Sequence, residues 1–366
     1  MPSTFFAEDY AQARQAFGEA ANTVGAQISS YVNPKRGIAG EELATDAAWI
    51  GPRQASCVLV SISATHGVEG FYGSACQINW LTAMAQGEQP LPPDTALLMV
   101  HALNPYGFSW TRRVNEDNID INRNHLNFSN LPLVNLGYEE VHELILPTAW
   151  DEATQARVQS DLWDFMHRVG PRAASLAISG GQYHRANGIF YGGTSLCWSN
   201  QTLNTIVQSH LQHAKAIAVL DHHTGLGPTG HTELICRHPV DSKALSLARS
   251  WWGADVTSPA AGESASAVID GNVRMAVGPL CPQAQVVSIA IEVGTQSKKE
   301  VIFALLADNW LHQNGDFQTP LAHHIKRQVR DAFLVDTQNW HDQALERAKT
   351  IWQQALTGLP QALRGG

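Results

Sequence analysis

The sequence predicts an α/β fold built on a largely parallel β-sheet. Two observations carry that expectation. The first is the order of patterns over residues 56–103. An apolar run of strand length (56–64) is followed by a helical stretch (69–86), then by Gly87 and the turn QPLPP, then by a second apolar run (96–103). Strand, helix and strand at this spacing form a βαβ unit, whose crossover leaves the two strands parallel. The second is composition. At 366 residues, 44% hydrophobic and 16% charged, the chain can bury a large core as one α/β domain or as a domain with a helical appendage.

The other elements follow in order. Residues 9–25 are Ala-rich and amphipathic and predict a helix. Residues 47–51 and 56–64 predict strands, the second apolar nearly throughout, as a strand covered on both faces should be. Later strands are expected at 217–220, 233–236 and 286–293, and helices at 203–213, 242–252 and 299–313. From 320 to 356 the pattern is almost wholly helical. Residues 1–318 are therefore expected to form the α/β domain, with 319–366 a helical C-terminal extension packed on it. The closing LRGG reads as a frayed end.

Charge and cysteine usage narrow the function classes. A net charge of −9 with no Lys/Arg run argues against a nucleic-acid partner. The five cysteines are scattered, odd in number and never in Cys-x-x-Cys spacing, which reads as free buried thiols in a reducing compartment. No basic and apolar leader opens the chain, and no apolar run approaches the length of a membrane span. A soluble cytoplasmic protein with no membrane partner is expected.

Four stretches carry chemistry. In SISATHGVEG (61–70) a buried strand runs into a polar turn with His66 and Glu69. His-x-x-Glu lets an imidazole and a carboxylate converge on one cation, and zinc accepts such ligands. The same pattern also fits a helix start with a solvated Glu. Residues 104–124, NPYGFSWTRRVNEDNIDINRN, follow a strand directly, where α/β proteins place ligands. The stretch reads as a solvated loop or as an anion site, because guanidinium groups match carboxylates. IAVLDHHTGLG (217–227) ends a strand in Asp-His-His, where a metal-binding His would have rigidity and an acceptor for its other nitrogen. Alternation along a strand turns His222 away from the face of Asp221 and His223. In VVSIAIEVGT (286–295), Glu292 ends an apolar strand. A carboxylate there is costly unless paired, hydrated or near a cation; near zinc it can act as general base. Its alternative is a rim salt bridge to Lys298 or Lys299.

Together these stretches, from about residue 60 to 295, resemble the zinc carboxypeptidase superfamily, nearest its microbial aspartoacylase/succinylglutamate desuccinylase-like branch. The resemblance implies a mixed sheet of about eight strands flanked by helices, and one zinc per chain on His66, Glu69 and His223. It implies Glu292 as the base that activates water, Arg113 as the oxyanion residue, and Asn122 with Arg123 as the holders of a substrate carboxylate. Arg113 precedes Asn122 by nine positions, but a one-residue bulge would give its role to Arg112, otherwise read as a surface charge. Relatives carry a mobile Tyr over the substrate; Tyr183 and Tyr191, in GQYHRANGIFYGG, are the candidates, with Tyr191 taken as substrate-binding. The implied reaction is hydrolysis of an amide next to a free carboxylate, in a peptide or an N-acyl amino acid. The long interval from Glu69 to His223 implies an insertion around 131–200. Two rivals stand beside this reading. One is a two-metal aminopeptidase using Asp221 as a bridge with His222 or His231. The other is a relative that binds its ligand without cleaving it.

Overall fold

A computed structural model describes residues 5–130, 134–264 and 266–363. In chain order the elements are α1 (Tyr10–Thr23), β1 (Gln27–Arg36), β2 (Glu42–Ile50), β3 (Cys57–Ile62), α2 (Gly70–Ala85), β4 (Thr95–His101) and α3 (Pro105–Ser109). Then come α4 (Leu136–Ile145), α5 (Glu152–Val169), α6 (Pro171–Ser179), α7 (Trp198–His210), β5 (Ala216–Thr224), β6 (Thr232–Cys236) and α8 (Lys243–Trp252). The chain ends with β7 (Val256–Thr257), α9 (Val277–Leu280), β8 (Gln285–Val293), α10 (Lys298–Asn314), α11 (Pro320–Phe333) and α12 (Gln338–Leu363).

The strands form one mixed eight-stranded sheet in the order β1-β2-β4-β3-β5-β8-β6-β7. Its centre, β4-β3-β5-β8, is parallel, while β1, β2 and β6 join antiparallel. Central strands are covered on both faces, which explains their unbroken apolar runs. Alternate residues feed two cores. Cys57 and Leu59 face a core shared with α1, α2 and α12, whereas Val58, Val60 and Ile62 face one shared with α7 and α9.

Three features differ from the sequence expectation. Strand β1 carries no apolar alternation, because it is an edge strand with exposed residues along most of its length, including Val32. Strand β5 continues past Leu220 through Asp221, His222 and His223, because β8 pairs with it as far as Thr224. The C-terminal helical stretch is two helices: α11 begins at a Thr319 cap with Pro320 in its first turn, and the chain leaves helix between Phe333 and Gln338 before α12. Both helices lie against the sheet, tied by Thr295 Oγ1 to Ala332 O (2.6 Å) and Trp340 Nε1 to Gly294 O (3.0 Å). Of the closing LRGG, residues 364–366 lie outside the described residues. All five cysteines are buried and unpaired, and no helix among the described residues is long and apolar enough to cross a membrane.

Candidate metal centre and cleft

The site forms where β3, β4, β5 and β8 end. Beyond β3 the backbone passes through a left-handed residue, Ala64 (φ 54°), and one 3-10 turn at Gly67–Glu69 folds Glu69 back over His66. Gly67 is required there: a Cβ would sit 1.9 Å from the backbone carbon of Gly107. The amides of Gly67 and Val68 donate to the carbonyls of Arg113 (3.1 Å) and Arg112 (2.9 Å). This turn and the arginine loop are thus held as one unit.

His223 arrives from β5. Its Nδ1 lies 2.7 Å from Glu69 Oε2 and 3.2 Å from His66 Nδ1, while Glu69 Oε1 lies 2.8 Å from His66 Nδ1. These ligand atoms all fall within 4.8 Å of one another, and the three residues are the group of this kind among the described residues. Each imidazole has an aspartate at its other nitrogen, hydrogen-bonded for His223 and at ion-pair distance only for His66. Asp221 Oδ2 lies 2.7 Å from His223 Nε2, with Thr65 donating to its other oxygen at 2.6 Å. Asp120 Oδ1 lies 3.4 Å from His66 Nε2. Two Nδ1 atoms and a carboxylate, with an aspartate behind each ring, are the donors zinc takes, so the residues fit that metal. Asp221 has both oxygens engaged, and His222 lies on the opposite face against Tyr72 and Trp352. Neither is arranged to hold a second metal.

Buried charges set the electrostatics. Burial raises the Glu69 carboxyl, but His66 and His223 outweigh it and hold it low. Burial likewise works against Asp120, yet Arg113, Arg123 and His66 keep its carboxyl well below the usual range. Glu292 behaves oppositely. Burial first, then the charge of Glu69, push its carboxyl up to about 8. The β5–β8 register sets Glu292 directly beside His223 on the same face of the sheet. One oxygen of Glu292 accepts from Leu226 N–H (3.1 Å). Among the described residues Glu292 makes no ion pair with Lys298 or Lys299, and the Lys298 ammonium donates to Ser175 Oγ at 2.6 Å.

The stretch 104–124 is neither solvated nor irregular in its role; its side chains are largely buried. Arg113 and Arg112 point to opposite places. Arg113 lines the cleft, with Nε donating to Asp120 Oδ2 (3.0 Å) and a terminal nitrogen 3.6 Å from Glu69. Arg112 is 3% exposed and lies 3.3 Å from Asp308 on α10, which corrects its reading as a surface charge. Asn122 and Arg123 also line the cleft. Asn122 Oδ1 accepts from Val273 N–H (3.0 Å), and Arg123 donates to Ser179 O (2.6 Å).

Neither tyrosine candidate lines the cleft. Tyr191 packs in the core with Ile119 and Leu103, and Tyr183 donates its hydroxyl to Arg123 O (2.8 Å) from behind. The ring that reaches the cleft is Phe190, whose φ of 53° turns it away from the side of Tyr191. The guanidinium groups of Arg113 and Arg123 lie 4.9 and 5.6 Å from its centroid. Other lining residues stand outside every motif in the sequence: Arg237 after β6, Asn272 and Arg274 before α9, and Phe333 at the end of α11. A lone polar residue outside any motif carries no local signal. Asp120 was legible only as part of Asp-x-Asn-Arg-Asn.

The cleft among these groups has a volume of about 100 Å³. It brings together a metal-type donor set, a buried carboxyl and four arginines.

A family model described as a protein of unknown function, DUF2817, matches residues 6–347. No curated protein matches the sequence significantly. Among solved structures the chain is similar to carboxypeptidase A from Helicoverpa armigera, at 12% identity over 89% of this chain and 74% of that one, with a TM-score of 0.45. It is also similar to bovine thrombin-activatable fibrinolysis inhibitor, at 10% identity over 89% and 96%, TM-score 0.45. A third likeness is to succinylglutamate desuccinylase from Chromobacterium violaceum, at 13% identity over 83% and 74%, TM-score 0.36. The chain belongs to the DUF2817 family.

Proposed function

We propose that this member of the DUF2817 family is a zinc-dependent hydrolase that cleaves an amide bond next to a free carboxylate. The observation that carries the proposal is the convergence of His66 Nδ1, His223 Nδ1 and Glu69, with Glu292 in register beside His223. Zinc on these three ligands would lower the pKa of a water to about 7 and polarise a carbonyl.

The protein's own groups account for the rest. Asp221 and Asp120, behind the two imidazoles, would favour the tautomers that leave each Nδ1 free to hold the metal. Glu292, a carboxylate when it acts, takes a proton from the attacking water and returns it to the leaving nitrogen. Arg113, braced on Asp120, donates to the oxygen on which negative charge develops. Asn122 and Arg123 hold the substrate carboxylate, with Phe190 beneath the two guanidinium groups.

Metal analysis and a substrate screen test the reading together. Purified protein should hold about one zinc per chain and should hydrolyse N-acyl amino acids or short peptides, but not their C-terminal amides. Two tightly bound metals would favour an aminopeptidase. A metal-loaded protein that cleaves free acid and amide alike would remove the carboxylate requirement.

A further inference from the structure

A second space lies beside the metal cleft, and the chemistry proposed above does not use it. It is a groove of about 550 Å³ between α5, α6 and α10, against about 100 Å³ for the cleft. Leu162, Trp163 and Met166 from α5, Ile178 from α6, and Ile302 and Phe303 from α10 form its walls. Trp163 is 58% exposed, so the fold leaves most of that indole in water. A run of apolar surface exposed in this way marks a place where a ligand binds.

The groove is continuous with the cleft, because Ser175, Lys298 and Ile302 line both. At that boundary Lys298 Nζ donates to Ser175 Oγ at 2.6 Å, which ties the first turn of α10 to α6. Three features describe the occupant. The walls are helices, whose backbone groups are satisfied within each helix. An extended peptide would find no partners there for its own N–H and C=O groups, whereas an alkyl chain needs none. The charged lining residues are Lys298 and Lys299, with no acid among them, which disfavours a cationic chain. The space also exceeds any amino-acid side chain, so the occupant is a long chain on the scissile amide, which enters such a substrate as its acyl group.

We infer that the groove between α5, α6 and α10 is an acyl subsite that takes a long linear alkyl chain. Resting on the hydrolase reading, this names the substrate class: amino acids that carry a fatty acyl group on nitrogen. Water adds to the acyl carbon, the C–N bond breaks with a proton delivered to nitrogen, and a fatty acid and a free amino acid leave. Trp163 is the exposed wall of the subsite, and Ser175, Lys298 and Ile302 are its mouth on the cleft.

The test uses the zinc-loaded protein with dodecanoate and butyrate, which share a carboxylate and differ in chain length. A fully buried methylene is worth about fourfold in affinity, so by calorimetry dodecanoate should bind at least about 100-fold more tightly, at a single site. Trp163→Glu, at an exposed helical position, should weaken dodecanoate about tenfold and leave butyrate within about threefold. Trp163→Phe, which keeps an apolar ring, should stay close to the parent. Equal binding of the two acids, dodecanoate binding at many sites, or equal losses for both in Trp163→Glu would overturn the inference. A tetrapeptide of alanine and leucine that binds more tightly than dodecanoate, and is weakened by Trp163→Glu, would overturn it too and give the groove to peptides. Hydrolysis of N-acetylalanine and N-dodecanoylalanine separates it from the reading beneath. Turnover of both at equal kcat/KM sinks the acyl subsite and keeps the hydrolase. A dodecanoate preference that Trp163→Glu abolishes, without turnover of any N-acyl amino acid, sinks the hydrolase and keeps the alkyl-chain site.

Discussion

Asp120 ties His66 to the arginine loop: one carboxylate oxygen lies 3.4 Å from His66 Nε2, and the other accepts from Arg113 Nε at 3.0 Å. One buried acid thus orients a metal ligand and an oxyanion donor together. Asp120→Asn should weaken zinc by about 10–100-fold, the usual effect of losing a partner behind a ligating histidine. Competition with a chromogenic chelator measures this directly. Unchanged zinc affinity would mean that His66 is oriented by the turn alone.

The register that sets Glu292 beside His223 separates metal binding from proton transfer. Glu292→Gln should retain zinc and lose about 10²–10⁴-fold in kcat, since an amide cannot accept the water's proton. His66→Ala and His223→Ala should lose zinc itself. Metal content and turnover, measured on the same preparations, distinguish the two classes. A fully active Glu292→Gln enzyme would require another base.

The three arginines should fail in three different ways. Arg113→Ala should lower kcat by about 10²–10³. Arg123→Ala should mainly raise KM for free acids, because its contact exists in ground and transition states alike. Arg112→Ala should act on stability instead, since it breaks a buried pair with Asp308. Stripping one partner from a buried pair costs about 3–5 kcal/mol. Lys326 stays within hydrogen-bond reach of Asp308, so a loss of about 2 kcal/mol is expected. Urea unfolding of the metal-loaded variants reads the difference.

Zinc uptake should release a proton. Burial lowers the pKa of His223, but Asp221 and Glu69 outweigh it and raise the imidazole to about 10. At pH 7 the metal-free protein therefore keeps a proton on the nitrogen that must become a ligand. Affinity should rise with pH up to about that value, by about tenfold per unit, with about one proton released per zinc. Titration calorimetry in two buffers of different ionisation enthalpy counts that proton. A release of none would place His223 in its neutral form before zinc arrives.

Much of this architecture can be read along the chain because the information is local. The central strands β3, β4, β5 and β8 are continuous apolar runs, since a strand covered on both faces needs no polar side. His66 and Glu69 share one turn, and Asp221 and His223 share one strand face, so spacing permits each pair to converge, while the resemblance implies the ligand set. Strand β1 was silent because an exposed edge imposes no alternation.

Other features depend on which segments meet, and spacing cannot carry that. Sheet order sets β8 between β5 and β6, which brings Glu292 beside His223 and Arg237 into the same cleft. Adjacent residues are separated by the backbone: Arg113 faces the metal turn while Arg112 pairs with a helix nearly two hundred residues on, and a left-handed φ sends Phe190 rather than Tyr191 to the cleft. Whether a buried arginine finds a carboxylate is a matter of long-range packing. Arg112 finds Asp308, Arg274 comes within 3.8 Å of Asp221, and Arg237 donates instead to Ala267 O and Ser266 Oγ.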